Sequence, residues 1–98
     1  EVASMAAVKG FLCTPHAANL SLVTICTMHL LRGITNAGPY LEFAIEGPDY
    51  YPWTEALFCG DPFAVEDGCV QVTNAPGWGV EVNPEWLARA DYAVSERE

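Results

Sequence analysis

The sequence predicts an α/β chain built as a βα repeat around a parallel sheet. Three observations carry that prediction. Residues 11–14 and 40–45 are short, nearly continuous apolar runs, the pattern of strands covered on both faces. Between them lies a segment of helical length whose apolar members recur at helical spacing. The connections are short, and helix, strand, helix and strand in that order call for parallel pairing.

The elements follow in order. Residues 1–9 (EVASMAAVK) are rich in alanine, and Gly10 stands where a helix C-terminus favours a residue with positive φ. They are expected to be the tail of a longer helix. Phe11-Leu12-Cys13-Thr14 is the first strand, stopped by Pro15. Asn19 or Ser21 caps a helix over about 20–32, whose expected buried stripe is Leu22, Ile25, Cys26 and His29. Gly33 is expected to close that helix, with Arg32 at the negative end of its dipole. After Gly38 and Pro39, Tyr40-Leu41-Glu42-Phe43-Ala44-Ile45 is the second strand.

Composition changes at Gly47-Pro48. The next stretch, to Gly60, is aromatic and turn-rich without a clean period. Glu66-Asp67-Gly68 signals a turn, and Cys69-Val70-Gln71-Val72 alternates as a strand. Ala75-Pro76-Gly77-Trp78-Gly79 is a tight glycine loop, here punctuation of the backbone rather than a phosphate loop, since no strand and helix flank it. Asn83-Pro84-Glu85 then starts a helix, with an Asn cap and Pro at the first position, carrying Trp86, Leu87 and Ala90.

Length and composition exclude several functions. The chain has 98 residues, 51% of them hydrophobic, too apolar for intrinsic disorder despite a formal charge of -9. That charge repels phosphate-rich partners, and Lys9, Arg32, Arg89 and Arg97 are scattered singly, so nucleic acid and anionic membranes are disfavoured. Residues 10–31 carry no charged side chain other than the histidines. Pro15, His16, Asn19, His29 and several hydroxyls nevertheless mark them as protein interior rather than a membrane span. The opening Glu-Val-Ala-Ser lacks the basic-then-apolar start of a secretory leader and an initiator Met, so an internal or trimmed piece is expected. Cys13, Cys26, Cys59 and Cys69 lack CxxC spacing. Reduced structural thiols, and hence a cytoplasmic setting, are expected.

Two residues carry chemistry. His16 directly follows the first apolar strand, at the end where α/β barrels place catalytic groups, and imidazole is the side-chain type whose unperturbed pKa lies near working pH. Glu42 interrupts the second apolar run, where a carboxylate is expensive without a partner or a task. Adjacent parallel strands lie ~4.8 Å apart, so the two side chains are expected to share a pocket. The competing structural readings are a hydrogen-bonded loop histidine and an acid satisfied by backbone amides. His29 is expected to be core or interface. Tyr50, Tyr51 and Trp53 are expected to serve packing rather than line a pocket, and Glu46 and Asp49 to be solvated loop acids.

The run Thr14-Pro15-His16-Ala17-Ala18-Asn19, the helix after it, and Tyr40-Leu41-Glu42-Phe43 resemble the C-terminal part of the enolase superfamily, in its mandelate racemase/muconate lactonizing branch. Glu66-Asp67-Gly68-Cys69-Val70, followed by Pro76-Gly77-Trp78-Gly79-Val80-Glu81-Val82, is similar to that branch's D-G-x-[VM]…P-G-x-G-[VL]-E tail. The resemblance covers essentially the whole chain. It implies the C-terminal portion of a modified TIM barrel, (β/α)7β, plus the tail that returns to an α+β capping domain. Residues 1–46 would be the end of helix six, strand seven, helix seven and strand eight, and residues 47–98 the segment packing on barrel and cap. Since such a barrel takes ~250 residues, 98 would be its last third or less.

The implied chemistry is removal of the proton α to a carboxylate, through an enediolate, by an enzyme that uses Mg²⁺. His16 matches the strand-seven histidine, the general base or acid. Glu42 matches the strand-eight glutamate, a protonated acid that hydrogen-bonds the substrate carboxylate, kept protonated by desolvation between Leu41 and Phe43. Every expected metal ligand lies outside this chain. Within the branch, Thr14-Pro15-His16 and the long segment after residue 46 look most like an acid-sugar dehydratase, a lyase, with a sugar acid as substrate. A racemase, epimerase or cycloisomerase is the runner-up. The implied partners are the remainder of the same enzyme and further copies of it. A non-catalytic fragment or assembly module is the alternative of another class.

Overall fold

The computed structural model describes residues 1–96. Arg97, counted above among the scattered cations, and Glu98 lie outside the described residues. Five elements succeed one another: α1 (Val2–Val8), α2 (Leu22–Gly33), β1 (Val65–Glu66), β2 (Cys69–Val70) and α3 (Pro84–Leu87). Where local backbone chemistry dictates an end, expectation and structure agree. Gly10, at φ +73, terminates α1 in a Schellman motif: the Phe11 N–H donates to the Ala6 carbonyl and the Gly10 N–H to that of Ala7. The Ser21 hydroxyl accepts from the Val23 N–H at 3.2 Å and caps α2. Asn83 does the same for α3 through the Glu85 N–H, with Pro84 at the first position. Asp67 and Gly68, both at positive φ, make the two-residue turn of the β1–β2 hairpin, where Val65 pairs with Val70 and Glu66 with Cys69.

The expected parallel sheet is corrected. Neither 11–14 nor 40–45 is a strand. A single parallel bridge joins Cys13 to Ala37, closed by Cys13 N–H to the Asn36 carbonyl and Gly38 N–H to the Cys13 carbonyl. Pairing therefore falls on residues 36–38, before the apolar run that was expected to receive it. A strand needs a paired neighbour, and among the described residues none pairs with residues 40–45, where Ile45 stays 94% exposed. The hairpin, antiparallel and four residues long in strand, is the whole sheet content of the described residues. Residues 69–72 form a strand only as far as Val70.

The α2 helix is also shifted. Leu20 sits in the left-handed region at φ +48 and cannot belong to it, and Gly33 is its last residue, with Ile34 the extended cap. Its buried face is Thr24, Ile25, Thr27 and Met28, about a third of a turn from the expected stripe. Two of the four are threonines, polar by type yet buried, which periodicity of apolar residues alone does not register.

Ile25 and Met28 of α2 pack against Phe58 and Phe63, with Leu41, Phe43, Val70, Val72, Val80 and Val82 around them. Phe63 is the aromatic hub, edge-on to both Phe43 and Phe58. The core thus unites residues of both the 1–46 and the 47–98 segments. An antiparallel bridge, Phe58 to Val82, ties the two arms of the C-terminal segment, and Arg32 donates to the Val72 carbonyl at 3.1 Å. The radius of gyration is 15.6 Å, against about 13 Å for a compact domain of this length. The accessible surface is 7680 Å², where a closed monomer of this mass exposes about 5,500 Å². Val2, Met5, Val8, Phe11, Leu12, Tyr40 and Ile45 contribute to the excess. No helix among the described residues is long and apolar enough to cross a membrane.

Candidate functional site

The turn carrying His16 is placed by its neighbours on either side. Pro15 biases Thr14 to an extended backbone, and the Cys13–Ala37 bridge lays residues 13 and 14 against 37 and 38. The approach is close enough that a Cβ on Gly38 would collide with the Thr14 hydroxyl, so only glycine fits there. Three residues past the bridge on one arm stands His16, and five past it on the other stands Glu42. The structure brings the two together: His16 Nδ1 lies 2.7 Å from Glu42 Oε2.

The same oxygen accepts the Ala17 N–H at 3.1 Å. Two N–H groups converging on one oxygen fit an acceptor. With Glu42 as a carboxylate, which only accepts, the contact assigns the proton to Nδ1, and Nε2 of the neutral imidazole is then the base. His16 is 85% exposed at its side chain and Glu42 44%. The expected enclosure of Glu42 by Leu41 and Phe43 is therefore corrected. Those two flank it in sequence but project to the opposite side, into the core. In place of apolar walls the carboxyl group meets one backbone amide, that of Ala17. Ala17 itself carried no sequence signal, because its contribution is made by the main chain.

Tyr50, Tyr51 and Trp53 form an aromatic cluster, Tyr50 edge-on to Tyr51 at 4.7 Å between centroids and Trp53 tilted against Tyr51 at 5.3 Å. Partial burial first, then the charges of Tyr50, Glu46 and Glu42, push the Tyr51 phenol above its ordinary value. Trp53 also makes a directed contact, its indole N–H donating to the Asn19 carbonyl at 2.9 Å. His29 is apart from this group: its Nε2 meets the Trp78 carbonyl at 3.1 Å and its ring lies edge-on to the Trp78 indole. That contact pins α2 to the glycine loop, where Gly77 and Gly79 hold positive φ. A cavity of about 230 Å³ between α2 and residues 61–80 is lined by His29, Asp61 and Trp78 among others, and contains neither His16 nor Glu42. Cys13 and Cys26 are half-buried free thiols, and Cys59 and Cys69 are exposed ones.

No group of three His, Cys, Asp or Glu among the described residues is arranged to hold a metal ion. Among the described residues no set of side chains fits the Mg²⁺ that the resemblance implies. What the His16–Glu42 pair can do by itself is accept or deliver a proton at Nε2 while the carboxylate fixes the tautomer and offsets the charge that forms on the ring.

The enolase C-terminal domain-like family model matches residues 1–86. Among solved structures, the crystal structure of a "putative racemase" from Roseobacter denitrificans superposes with a TM-score of 0.87 and is 64% identical over 98% of this chain. The chain spans about a quarter of that protein, 26% of its length. No curated protein matches.

Proposed function

Because the chain belongs to the enolase C-terminal domain-like family, we propose that it is part of an enzyme that moves the proton α to a carboxylate, with His16 as the proton-transfer group. The observation that carries this is the 2.7 Å contact between His16 Nδ1 and Glu42 Oε2, which leaves Nε2 free and solvent-facing at the end of the Cys13–Ala37 bridge. Members of this superfamily generally use Mg²⁺, which stabilises negative charge on the substrate. In this reading its ligands belong to the remainder of the enzyme. That remainder also covers the exposed apolar side chains of α1 and of residues 11–12 and 40–45.

His16 takes the α-proton on Nε2. As the imidazolium forms, the Glu42 carboxylate and its Ala17 amide keep the ring in one orientation. Racemisation or epimerisation follows if a proton returns to the opposite face of the same carbon. This first reading is supported by the 64% identity to the Roseobacter denitrificans protein. Dehydration of an acid sugar is the second reading, supported by Thr14-Pro15-His16 and the long segment after residue 46. There the β-hydroxyl leaves as water, with His16 returning its proton to the departing oxygen, and the enol becomes a 2-keto-3-deoxy acid.

The test is the full-length enzyme with a panel of 2-hydroxy and sugar acids in D₂O. Deuterium at the α-carbon with the hydroxyl retained supports racemisation. A 2-keto acid with deuterium at C3 supports dehydration. Neither change with any acid in the panel defeats the proposal.

A further inference from the structure

The turn between the Cys13 bridge and α2 holds itself in an unfavourable backbone conformation. Leu20 lies at φ +48, a region an L-leucine avoids unless its surroundings over-determine it. The surroundings are three side chains converging on residues 17–19. Thr24, 0% exposed, shares its single hydroxyl proton between the Ala17 carbonyl at 3.1 Å and Asn19 Oδ1 at 3.3 Å. Asn19 Oδ1 also accepts the Ser21 hydroxyl at 2.8 Å and the Ser21 N–H at 3.3 Å. From the far segment, the Trp53 indole N–H reaches the Asn19 carbonyl at 2.9 Å.

Ordinary capping accounts for the contacts between Ser21 and Asn19, which stay within two residues. It does not account for Thr24, which reaches back seven residues to the main chain of Ala17, nor for Trp53, which arrives from thirty-four residues away. Thr24 ends on the Ala17 carbonyl, in the peptide unit next to the one whose N–H donates to Glu42, and Trp53 ends on the Asn19 carbonyl, two peptide units further along the same turn. A shift of that turn moves His16 relative to Glu42, and a displacement of ~1 Å at a proton-transfer group costs about a hundredfold.

We propose that Thr24 and Trp53 are positioning residues, clasping the His16 turn from two sides so that its imidazole stays in register with Glu42. The inference rests on the His16–Glu42 reading of the site. In the full-length enzyme, Thr24→Val removes the hydroxyl at nearly constant shape, Thr24→Ser restores it, and Trp53→Phe keeps a ring but loses the N–H. Amide hydrogen exchange of the peptide spanning 14–21 should rise about fivefold to tenfold in Thr24→Val and Trp53→Phe, the factor one hydrogen bond supplies. It should return to the wild-type rate in Thr24→Ser, while a peptide from the body of α2 stays unchanged. With the 2-hydroxy acid that the wild type deuterates fastest, kcat should fall about tenfold or more in both variants at unchanged KM, and Thr24→Ser should recover it. Unchanged exchange in 14–21, an equal rise throughout α2, or a rise in KM at constant kcat overturns the clasp. A wild type that deuterates no acid defeats the proton-transfer reading instead, and hydrogen exchange then decides the clasp alone.

Discussion

Replacing Glu42 by Gln separates what the His16–Glu42 pair does for stability from what it does for chemistry. The perturbation is nearly isosteric. Glu42 Oε2 receives both the His16 Nδ1–H and the Ala17 N–H. A Gln carbonyl placed at Oε2 can still accept both N–H groups, but it carries no negative charge to offset the imidazolium that forms on the ring. The stability cost is small, because both side chains are substantially solvated, 85% and 44% exposed. Solvated ion pairs contribute ~0–1 kcal/mol, and a change of that size shifts the melting temperature of a domain of 150–250 residues by about 2–4 °C at most. The catalytic cost is large, since a base whose cation is no longer offset by a carboxylate forfeits much of the ~10²–10⁴-fold that general acid–base catalysis supplies. The assay is α-proton exchange of a 2-hydroxy acid in D₂O, followed by NMR, beside a thermal melt of the same full-length preparations. Exchange within about threefold of wild type, or a melting temperature lowered far beyond that shift, refutes the reasoning.

Three further outcomes follow from the packing and the backbone. Phe58→Ala empties a buried ring position against Phe63 and Met28 and should cost about 3–5 kcal/mol in denaturant unfolding. Gly79→Ala adds a Cβ at φ +71 that would collide with the Thr73 side chain methyl. The left-handed backbone alone costs ~1–2 kcal/mol, and a Thr73→Ser change in the same chain should recover the part due to the collision. The Tyr51 phenol, raised by partial burial and nearby charge, keeps its proton longer folded than unfolded. Stability should therefore be intact at neutral pH and fall as pH rises through and above the ordinary phenol value of about 10. Tyr51→Phe should flatten that decline and remove one phenol that titrates above the ordinary value from an ultraviolet titration.

How much of this was legible in the sequence depends on how local the cause is. Gly10, Ser21, Asp67-Gly68 and Asn83-Pro84 announce turns and caps because the energetics sit within three or four residues, and the structure has each of them. The apolar runs at 11–14 and 40–45 announce only that their side chains want cover, not which neighbour pairs with them, and pairing fell on 36–38 instead. The buried face of α2 was missed because Thr24 and Thr27 are interior on account of what packs over them. His16 and Glu42 were legible as a polar residue after one apolar run and an acid inside the next, and the structure sets them in contact. Their support was not: an Ala17 amide, a buried Thr24 hydroxyl and an indole N–H from Trp53 leave no mark in spacing or composition.

The central claim, that Nε2 of His16 carries the α-proton, is tested most directly by His16→Asn in the full-length enzyme. Asn fills much of the space and can still donate to Glu42, yet has no nitrogen able to take a proton near neutral pH. The account predicts that wild type incorporates solvent deuterium at the α-carbon of a 2-hydroxy acid, and that His16→Asn, with an unchanged circular dichroism spectrum, does so ~10²–10⁴-fold more slowly. Deuterium incorporation by His16→Asn at the wild-type rate would contradict it.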